Sequence, residues 1–363
     1  MFWWMLLTSA LAALAASIAL ATIAAQRLLR PRRRQAQSTP AEVGLAYQEV
    51  QFKARGEALA LAAWYIPAAG ATRAVIIAHG VGGCRGQEFT VSSFPLVEHL
   101  VGSGFSVLML DLRGHGASDT APMTYGIRER HDLLGAVDWL LAHGYKPGAI
   151  GVLGASMGGV AAMGAAGEEP AIGALISDSA CADFQAMIES HLQRRSKLPR
   201  FFIPLVLLMG RMLSGEDLAR LRPATLLRQI SACAVLIIHA EGDRLVPLNH
   251  AYALARAGDC ALWITQSPRH LGSFGANQHA YSQCVIAFFE RTLVARPPIP
   301  AAFTVQQLTH AHQPGRLRLH MRWERLKTGL RARWEPMYSA PPRLHELLAQ
   351  PTDDTVDEEL QLK

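Results

Sequence analysis

The sequence lacks the residue patterns that mark several common classes of protein. Its 363 residues include only five cysteines, at irregular spacings without a Cys-x-x-Cys pair, so neither a disulfide scaffold nor a cysteine-held zinc site is expected. A His-Glu-x-x-His motif, a phosphate loop and a dinucleotide fingerprint are also missing, so we predict no metal and no cofactor. Because its central region lacks a basic face with aromatic residues to read bases, no nucleic-acid partner is predicted.

What the sequence does contain is a serine between glycines at the end of an apolar run. Residues 154–159 read Gly-Ala-Ser-Met-Gly-Gly, and they follow the apolar run 150–153 and precede an alanine-rich stretch. A strand that turns sharply into a helix at such a serine is a nucleophile elbow, and its glycines are needed because a side chain at Gly154 or Gly158 would clash with a neighbouring strand or helix. Ser156 is therefore the predicted nucleophile, and the alternative is a turn serine without chemistry.

An acid and a base follow two further buried strands downstream. Asp243 lies on a loop after the predicted strand 234–240, and His270 lies on a loop after the predicted strand 261–265. The order serine, aspartate, histidine differs from the orders in trypsin-like and subtilisin-like proteases. Asp178, at the end of another predicted strand, is the alternative acid. His279 is expected to be a capping or surface residue of the last helix.

Backbone donors for a developing oxyanion are expected in two places. A buried strand at 74–78 runs into His-Gly-Val-Gly-Gly at 79–83, so the N–H groups of Val81 and Met157 are the predicted oxyanion hole. His79, Asp111 and Asp132 are assigned structural roles: the first two close turns by hydrogen bonds to backbone, and the third is packed or ion-paired.

Together these motifs resemble the α/β-hydrolase superfamily over residues from about 46 to 293. The resemblance is carried by His79-Gly80, by Asp-Leu-Arg-Gly-His-Gly-Ala-Ser at 111–118, by the 154–159 motif, by Glu-Gly-Asp at 241–243 and by His270. Within the superfamily, the sequence is similar to bacterial serine aminopeptidases and prolyl-oligopeptidase-type catalytic domains. The resemblance implies an α/β fold with an eight-stranded, mostly parallel sheet and helices on both faces. The usual Gly-x-Gly-His before the last helix is here Ser-Pro-Arg-His at 267–270.

The N-terminal segment predicts where the enzyme acts. Residues 2–26 carry no charge and are long enough to cross a hydrocarbon core of roughly 30 Å, so residues 1–26 are a predicted transmembrane helix. Five arginines follow within residues 27–34, at the start of a basic juxtamembrane linker over 27–45. By the positive-inside rule the catalytic domain, residues 46–295, then faces the cytoplasm. The alternative is a signal peptide cleaved near residues 19–21 and an exported enzyme.

Two further segments, one within the expected core and one after it, lead to separate predictions. Residues 181–230 are a predicted cap insertion, and its apolar run 201–210 either packs on the core, forms an acyl-binding lid or contacts a membrane interface. Residues 296–363 are a predicted tail, in which 316–334 form a basic amphipathic helix that either binds an anionic membrane surface or docks on the enzyme. Its acidic end, residues 353–359, is predicted to be disordered. The net charge of +6 is expected to attract the protein to an anionic membrane surface.

The function predicted from these observations is a membrane-anchored serine hydrolase that cleaves esters or thioesters of apolar, lipid-derived acyl groups. A serine peptidase or aminopeptidase is the alternative, with Glu88 or Glu241 holding the substrate amine. A hypothesis of another class is a non-catalytic membrane scaffold that uses the same fold for binding. The oligomeric state is left open.

Overall fold

The computed structural model describes residues 1–30, 33–195 and 202–296, with the side chains of 190–195 excepted. The predicted tail helix at 316–334 and the acidic end at 353–359 lie outside these residues, as does residue 201 at the start of the apolar run.

The described chain is built around one sheet of eight strands. The strands are β1 Gln48–Lys53, β2 Ala60–Ile66, β3 Arg73–Ala78, β4 Phe105–Leu110, β5 Ile150–Ala155, β6 Ile172–Asp178, β7 Ala234–Ala240 and β8 Ala261–Thr265. Their order is β1-β2-β4-β3-β5-β6-β7-β8. β2 pairs antiparallel with β1 and with β4, and all other pairs are parallel. The prediction of an eight-stranded, mostly parallel sheet is confirmed.

Helices cover both faces of the sheet, as the resemblance implied. The helices are α1 Phe2–Leu29, α2 Phe94–Gly102, α3 Glu129–Ala142, α4 Met157–Glu168, α5 Phe184–Arg195, α6 Phe202–Ser214, α7 Pro223–Leu227, α8 Asn249–Gly258, α9 Ser273–Ala276 and α10 Gln278–Thr292, with short 3₁₀ helices at Pro40–Val43 and Leu218–Arg220. Along β3, Ile76 faces the core that holds α3, α4 and α8, whereas Ile77 faces the core that holds α2 and α10. Because successive side chains of a strand point to opposite faces, a continuous apolar run fills both cores.

The sheet sets the position of the chemistry through the direction of its parallel strands. Every residue of β4, β5 and β6 is buried, so the side chains that solvent can reach lie beyond the strand ends. Parallel strands end at the same edge, and the loops after β3, β4, β5, β6, β7 and β8 therefore meet there. Ser156, Asp243 and His270 all lie at this edge.

Helix α1 is long and apolar enough to span a membrane, and it continues through Leu29, three residues beyond the predicted span. Leu29 is only 2% exposed, and its carbonyl accepts a 2.9 Å hydrogen bond from the Met123 N–H. The following segment is also attached to the domain. Arg33 donates to the carbonyls of Gly116 and Ser118. The start of the predicted linker is thus fixed against the loop after β4.

The cap insertion contains α5, α6, a 3₁₀ turn and α7. On α6, Ile203 and Leu207 pack into the core on the α3 and α4 side of the sheet, whereas Val206 packs against Ala21 and Ala25 of α1. Of the alternatives for the apolar run, packing on the core is therefore observed for one face of α6. All five cysteines are free.

Candidate active site

The Ser156 backbone has the strained conformation of a nucleophile elbow. Its φ is +52°, a region that residues other than glycine rarely adopt, and its N–H donates to the Asp178 carbonyl at 2.7 Å. A Cβ at Gly154 would lie 2.4 Å from the Gly158 carbonyl oxygen, and one at Gly158 would lie 2.5 Å from the Ala78 carbonyl oxygen. The strand and helix therefore approach too closely for any side chain at these two positions, as the sequence motif predicted.

The structure brings the three predicted catalytic side chains together in a hydrogen-bonded line. The Nε2 of His270 lies 3.0 Å from the Oγ of Ser156, and its Nδ1 lies 2.6 Å from the Oδ2 of Asp243. With a proton on Nδ1 donated to the carboxylate, Nε2 is left to accept the serine proton. This arrangement of nucleophile, base and orienting acid is the geometry that activates a serine.

Asp243 is held by its own loop as well as by His270. It is 5% exposed, and its Oδ1 accepts backbone hydrogen bonds from Leu245 at 2.8 Å and Val246 at 2.9 Å. These two N–H groups fix one carboxylate oxygen, so the other points at the imidazole. A loop that turns immediately after β7 therefore orients the acid.

The histidine loop packs closely on the acid loop at Gly242. The Gly242 N–H donates to the Ser267 carbonyl at 2.9 Å, and a Cβ at Gly242 would lie 2.7 Å from the Cα of Pro268. The glycine of Glu-Gly-Asp thus allows the two loops to touch. Although the sequence before His270 departs from the usual Gly-x-Gly pattern, this contact places His270 beside Asp243.

Asp178, the alternative acid, makes no hydrogen bond to His270. Its carboxylate accepts from the Ser179 hydroxyl at 2.7 Å and from the Tyr281 hydroxyl at 3.0 Å. Burial raises the pKa of Asp178 to about 6, against the two hydroxyl donors, which lower it. The geometry therefore favours Asp243 as the partner of His270.

The proposed oxyanion donors lie on two segments beside Ser156. A Cβ at Gly80 would lie 3.1 Å from the Cβ of Ser156, so the loop that carries Val81 runs directly past the nucleophile. Within the described residues, no hydrogen bond occupies the N–H of Val81 or of Met157, the first residue of α4. Both groups remain available to a ligand oxygen.

A pair of buried histidines supports this loop. The Gly82 N–H donates to the Nε2 of His115 at 3.2 Å, and the Leu112 N–H donates to the Nε2 of His79 at 3.0 Å. Each ring must then carry its proton on Nδ1, which faces a backbone carbonyl in both cases. Burial lowers the pKa of His79 to about 3 and also lowers the pKa of His115, so both rings are neutral at neutral pH.

The other predicted structural residues have the expected contacts. Asp111 accepts from the backbone N–H groups of Arg85 and Ala117, and Asp132 forms a buried ion pair with Arg113, whose Nη2 lies 2.7 Å from its Oδ1. His279 is an exposed residue of α10. The helix is capped instead by Asn277, whose side chain accepts from the Ala280 N–H.

The two glutamates considered for binding a substrate amine differ in availability. Glu88 is 1% exposed and accepts from the Ser93 hydroxyl and, at 3.0 Å, from the Gly86 N–H. Burial raises the pKa of Glu88 to about 7. Glu241 is exposed. Glu88 is thus committed to its own loop, and only Glu241 could meet a substrate amine.

The sequence alone did not identify the residues that hold the side chains and loops of this site in place. Tyr281 and Ser179 hold Asp178, and His115 holds the loop of Val81. His115 lies within the 111–118 motif, which could have indicated it, whereas nothing in the sequence connects Tyr281 with β6. Among residues 1–30, 33–195 and 202–296, no group of three or more His, Cys, Asp or Glu side chains could hold a metal ion.

Comparisons with known proteins agree with the fold. A family model described as the alpha/beta hydrolase fold matches residues 73–219. The uncharacterized protein YqkD of Bacillus subtilis is 28% identical over 221 residues, which is 60% of this chain and 70% of YqkD. The uncharacterized protein YfhR of Escherichia coli K12 is 25% identical over 221 residues, with coverage of 58% of this chain and 68% of YfhR.

Solved structures show the same architecture. An esterase of Pyrococcus furiosus superposes with a TM-score of 0.62 at 24% identity, covering 73% of this chain and 98% of the esterase. An acylaminoacyl peptidase of Pyrococcus horikoshii superposes with a TM-score of 0.55 at 18% identity, covering 72% of this chain and 44% of the peptidase. At these identities the likeness establishes the fold, and the resemblance inferred from the motifs is confirmed.

Proposed function

We propose that this chain, which has the α/β-hydrolase fold, is a membrane-anchored serine hydrolase that cleaves esters or thioesters of apolar acyl groups. The observation that carries the proposal is the hydrogen-bonded line from Ser156 through His270 to Asp243, with distances of 3.0 Å and 2.6 Å. A turn serine without chemistry has no reason to lie at φ +52° within reach of an imidazole.

In the proposed reaction, His270 takes the proton of Ser156 as its Oγ attacks the substrate carbonyl. The N–H groups of Met157 and Val81 hold the oxyanion, and Asp243 keeps the imidazole in the required tautomer and stabilises its positive charge. His270 then gives the proton to the leaving alcohol or thiol. In the second half, water attacks the acyl-enzyme with His270 again as base, and carboxylic acid and free Ser156 result.

The substrate class is inferred from the surroundings of the site. The cap follows β6 at the edge of the sheet that carries Ser156 and is rich in apolar side chains, among them the buried Phe184 and Met187 of α5, and α1 is attached to the loop after β4 at the same edge. An apolar acyl chain suits such surroundings better than a charged peptide does. Glu88, one of the two groups considered for a substrate amine, is buried and already engaged.

A fluorophosphonate probe tests the nucleophile. The wild-type protein is expected to be labelled, and Ser156→Ala to lose the label, while the control Ser103→Ala at the end of α2 keeps it. No labelling of the folded wild type would support the non-catalytic scaffold instead, and equal labelling of the Ser156→Ala variant would place the reactive nucleophile at another residue.

A substrate series tests the bond and the acyl group. Nitrophenyl esters with acyl chains from four to sixteen carbons (about C4 to C16) are compared with peptide anilides, and kcat/KM is expected to be highest on an apolar ester. Turnover of the peptide substrates with no turnover of short or long esters would reverse the assignment in favour of a peptidase.

We also propose that α1 spans the membrane and that the catalytic domain faces the cytoplasm. The exposed arginines that end the apolar part of α1, Arg27 and Arg30, support this orientation through the positive-inside rule. Protease added to intact spheroplasts is expected to leave the C-terminal tail uncut, and to cut it after lysis. Cleavage before lysis would place the domain outside.

A further inference from the structure

Helix α1 has two halves that differ in what they contact. From Met1 to Ala16 every residue is exposed. From Ser17 onward, one stripe of the helix is covered by the domain, and its best-buried members are Ala21 at 0%, Ala25 at 0% and Leu29 at 2% exposure. The spacing of four residues places them on one face. Only the first half of α1 is therefore surrounded on all sides by whatever solvent or lipid is present.

The covering element over much of this stripe is α6, which runs in the same direction as α1. Val206, near the start of α6, packs with Ala21 and Ala25. Leu213, near its end, lines a small cavity together with Leu29 and Arg30. The beginning of α6 therefore lies beside the middle of α1, and its end lies beside the first exposed arginines.

The apolar surface of α1 overlaps the part that α6 covers. Large apolar side chains are exposed along α1 as far as Ile23, which is 48% exposed, and the exposed residues Gln26 and Arg27 follow. The stretch from Phe2 to Ile23 is about 33 Å long at ~1.5 Å per residue, which matches a hydrocarbon core of roughly 30 Å. Because α6 packs on α1 from about Ser17, a span of this length includes roughly 10 Å of helix that already has α6 beside it.

The outer face of α6 continues from this depth toward the head groups, and its side chains tilt back toward the start of the helix, which is the direction of the hydrocarbon. Leu208 is 50% exposed and Met212 is 73% exposed, and the first charged residue of the helix is Arg211 in its last turn. The Arg211 side chain is 59% exposed, next to the level of Arg30 on α1. An apolar face that ends in an arginine at this level is typical of the boundary between acyl chains and head groups, because the arginine reaches the head groups while its neighbours stay in contact with the acyl chains.

We propose that α6 is embedded in the bilayer surface beside α1, with Leu208 and Met212 in contact with the upper part of the lipid acyl chains, and that the active-site edge consequently faces the membrane. The substrate would then be an ester drawn from the bilayer itself, and this part rests on the proposed function. The loop after β4 connects α1 with the cap at the active-site edge. Its Met123 N–H and Tyr125 hydroxyl donate to the Leu29 and Leu28 carbonyls of α1, and the Tyr125 ring contacts Phe184 of the cap at a centroid distance of 4.5 Å.

The position of α6 can be measured with a depth-sensitive label. A nitrobenzoxadiazole group is attached at Leu208→Cys or Met212→Cys in the full-length protein with its native cysteines replaced, reconstituted in phosphatidylcholine and phosphatidylglycerol vesicles. Leu11→Cys serves as the reference within the span, and Tyr252→Cys on α8, 54% exposed, serves as the reference in water. Fluorophosphonate labelling of each variant shows that it is folded.

The expected result is blue-shifted emission at positions 208 and 212, with quenching by lipids that carry a spin label near the top of the acyl chain. The label at 252 is expected to show neither. If positions 208 and 212 behave like 252 while position 11 is quenched, α6 lies in water and the proposal is wrong. If position 11 is also unquenched, α1 does not span the bilayer and the proposal fails with it.

A second experiment links α6 to substrate access. Met212→Glu is expected to lower the ratio of turnover of a long-chain ester in vesicles to turnover of a soluble short-chain ester by about tenfold, the scale of transferring one apolar side chain. Met212→Leu, which keeps an apolar side chain at this position, is expected to retain the wild-type ratio. Tyr252→Glu is expected to leave the ratio unchanged. An unchanged ratio for Met212→Glu contradicts the proposal. Because both the label positions and this ratio can fail while Ser156 still turns over soluble esters, failure here is distinguishable from failure of the proposed function.

Discussion

Two carboxylates end neighbouring parallel strands of the sheet, yet their surroundings give them different hydrogen-bond partners. Asp178 ends β6 and Asp243 follows β7, and the two strands are paired in register up to Asp178 and Ile238. Asp243 accepts from two backbone N–H groups and faces His270. Asp178 accepts from two hydroxyls, on Ser179 and Tyr281. Position at the sheet edge alone therefore does not decide which aspartate orients the histidine.

Both side chains are buried, so the difference lies in their hydrogen-bond donors. Backbone N–H groups fix one oxygen of Asp243 from a rigid turn and leave the other oxygen to the imidazole. Asp178 is fully buried, and its burial raises its pKa to about 6. A carboxylate that is costly to ionise and already occupied on both oxygens is a poor partner for a histidine that becomes positively charged in the proposed mechanism.

The largest effect expected from this comparison is on activity. Asp243→Asn should lower kcat/KM for an activated ester by about 10⁴-fold, because an asparagine stabilises the wrong imidazole tautomer. The matched change Asp178→Asn should cost less than about tenfold, since Asp178 does not touch His270. Steady-state kinetics on both purified variants measures this. A reversal of the two losses would make Asp178 the acid.

The next effect concerns stability against pH at Asp178. Its pKa is raised from 3.8 to about 6, so the folded protein holds this proton more tightly than the unfolded chain does. The stabilisation by protonation is complete below about pH 4, and it is lost as the pH rises through about 6. In the Asp178→Asn variant this loss is absent. The free energy of unfolding of the variant relative to wild type should therefore rise by about 3 kcal/mol between pH 4 and pH 7.

Denaturant unfolding of both proteins at several pH values checks this difference. Asp178→Glu, which keeps the carboxyl group, should retain a pH dependence of the wild-type sign. If the free energies of unfolding of wild type and Asp178→Asn follow parallel curves against pH, Asp178 has the same pKa in the folded and unfolded states. The hydrogen bonds to its carboxylate would then offset the effect of burial on its pKa.

A smaller effect is expected from the hydroxyl that Tyr281 donates to Asp178. Tyr281→Phe should lower the free energy of unfolding at pH 7 by about 2 kcal/mol, because it removes a hydrogen bond to a buried charged group. The change in kcat/KM should stay within about threefold, since the lost bond is worth no more to the transition state than to the ground state. Tyr252→Phe, at an exposed site, is the control that should leave stability unchanged.

The smallest effect is expected at Ser179, which joins the two regions. Its hydroxyl donates to Asp178, and it is 3.4 Å from the N–H of Leu271, the residue after His270. Ser179→Ala should cost about 1 kcal/mol of stability and lower kcat/KM by less than about tenfold. A loss as large as that of Asp243→Asn would show that β6 positions the histidine loop, and the contrast between the two strand ends would then be smaller than we infer.

The elements that could be predicted from the sequence are those with a strong local signal. The continuous apolar runs of β3 and β7 predicted their bounds to within one residue, because strands buried on both faces of a parallel sheet need such runs. The Gly-Ala-Ser-Met-Gly-Gly motif predicted the elbow, because only glycines tolerate the contacts found at 154 and 158.

The residues that could not be predicted act across the sheet. Tyr281 lies about one hundred residues beyond Asp178, and no local pattern connects them. The packing of α6 on α1 joins segments nearly two hundred residues apart through Ala21, Ala25 and Val206. Alanine at a contact is as ordinary in sequence as alanine facing lipid, so composition does not distinguish the two halves of α1.

By itself the sequence determined the fold class, the elbow and the order of serine, acid and histidine, because each is indicated by short motifs whose residues are neighbours in the chain. Only the tertiary structure decided which aspartate faces His270 and which face of α6 is left outside, because both depend on side chains that separate segments bring into contact.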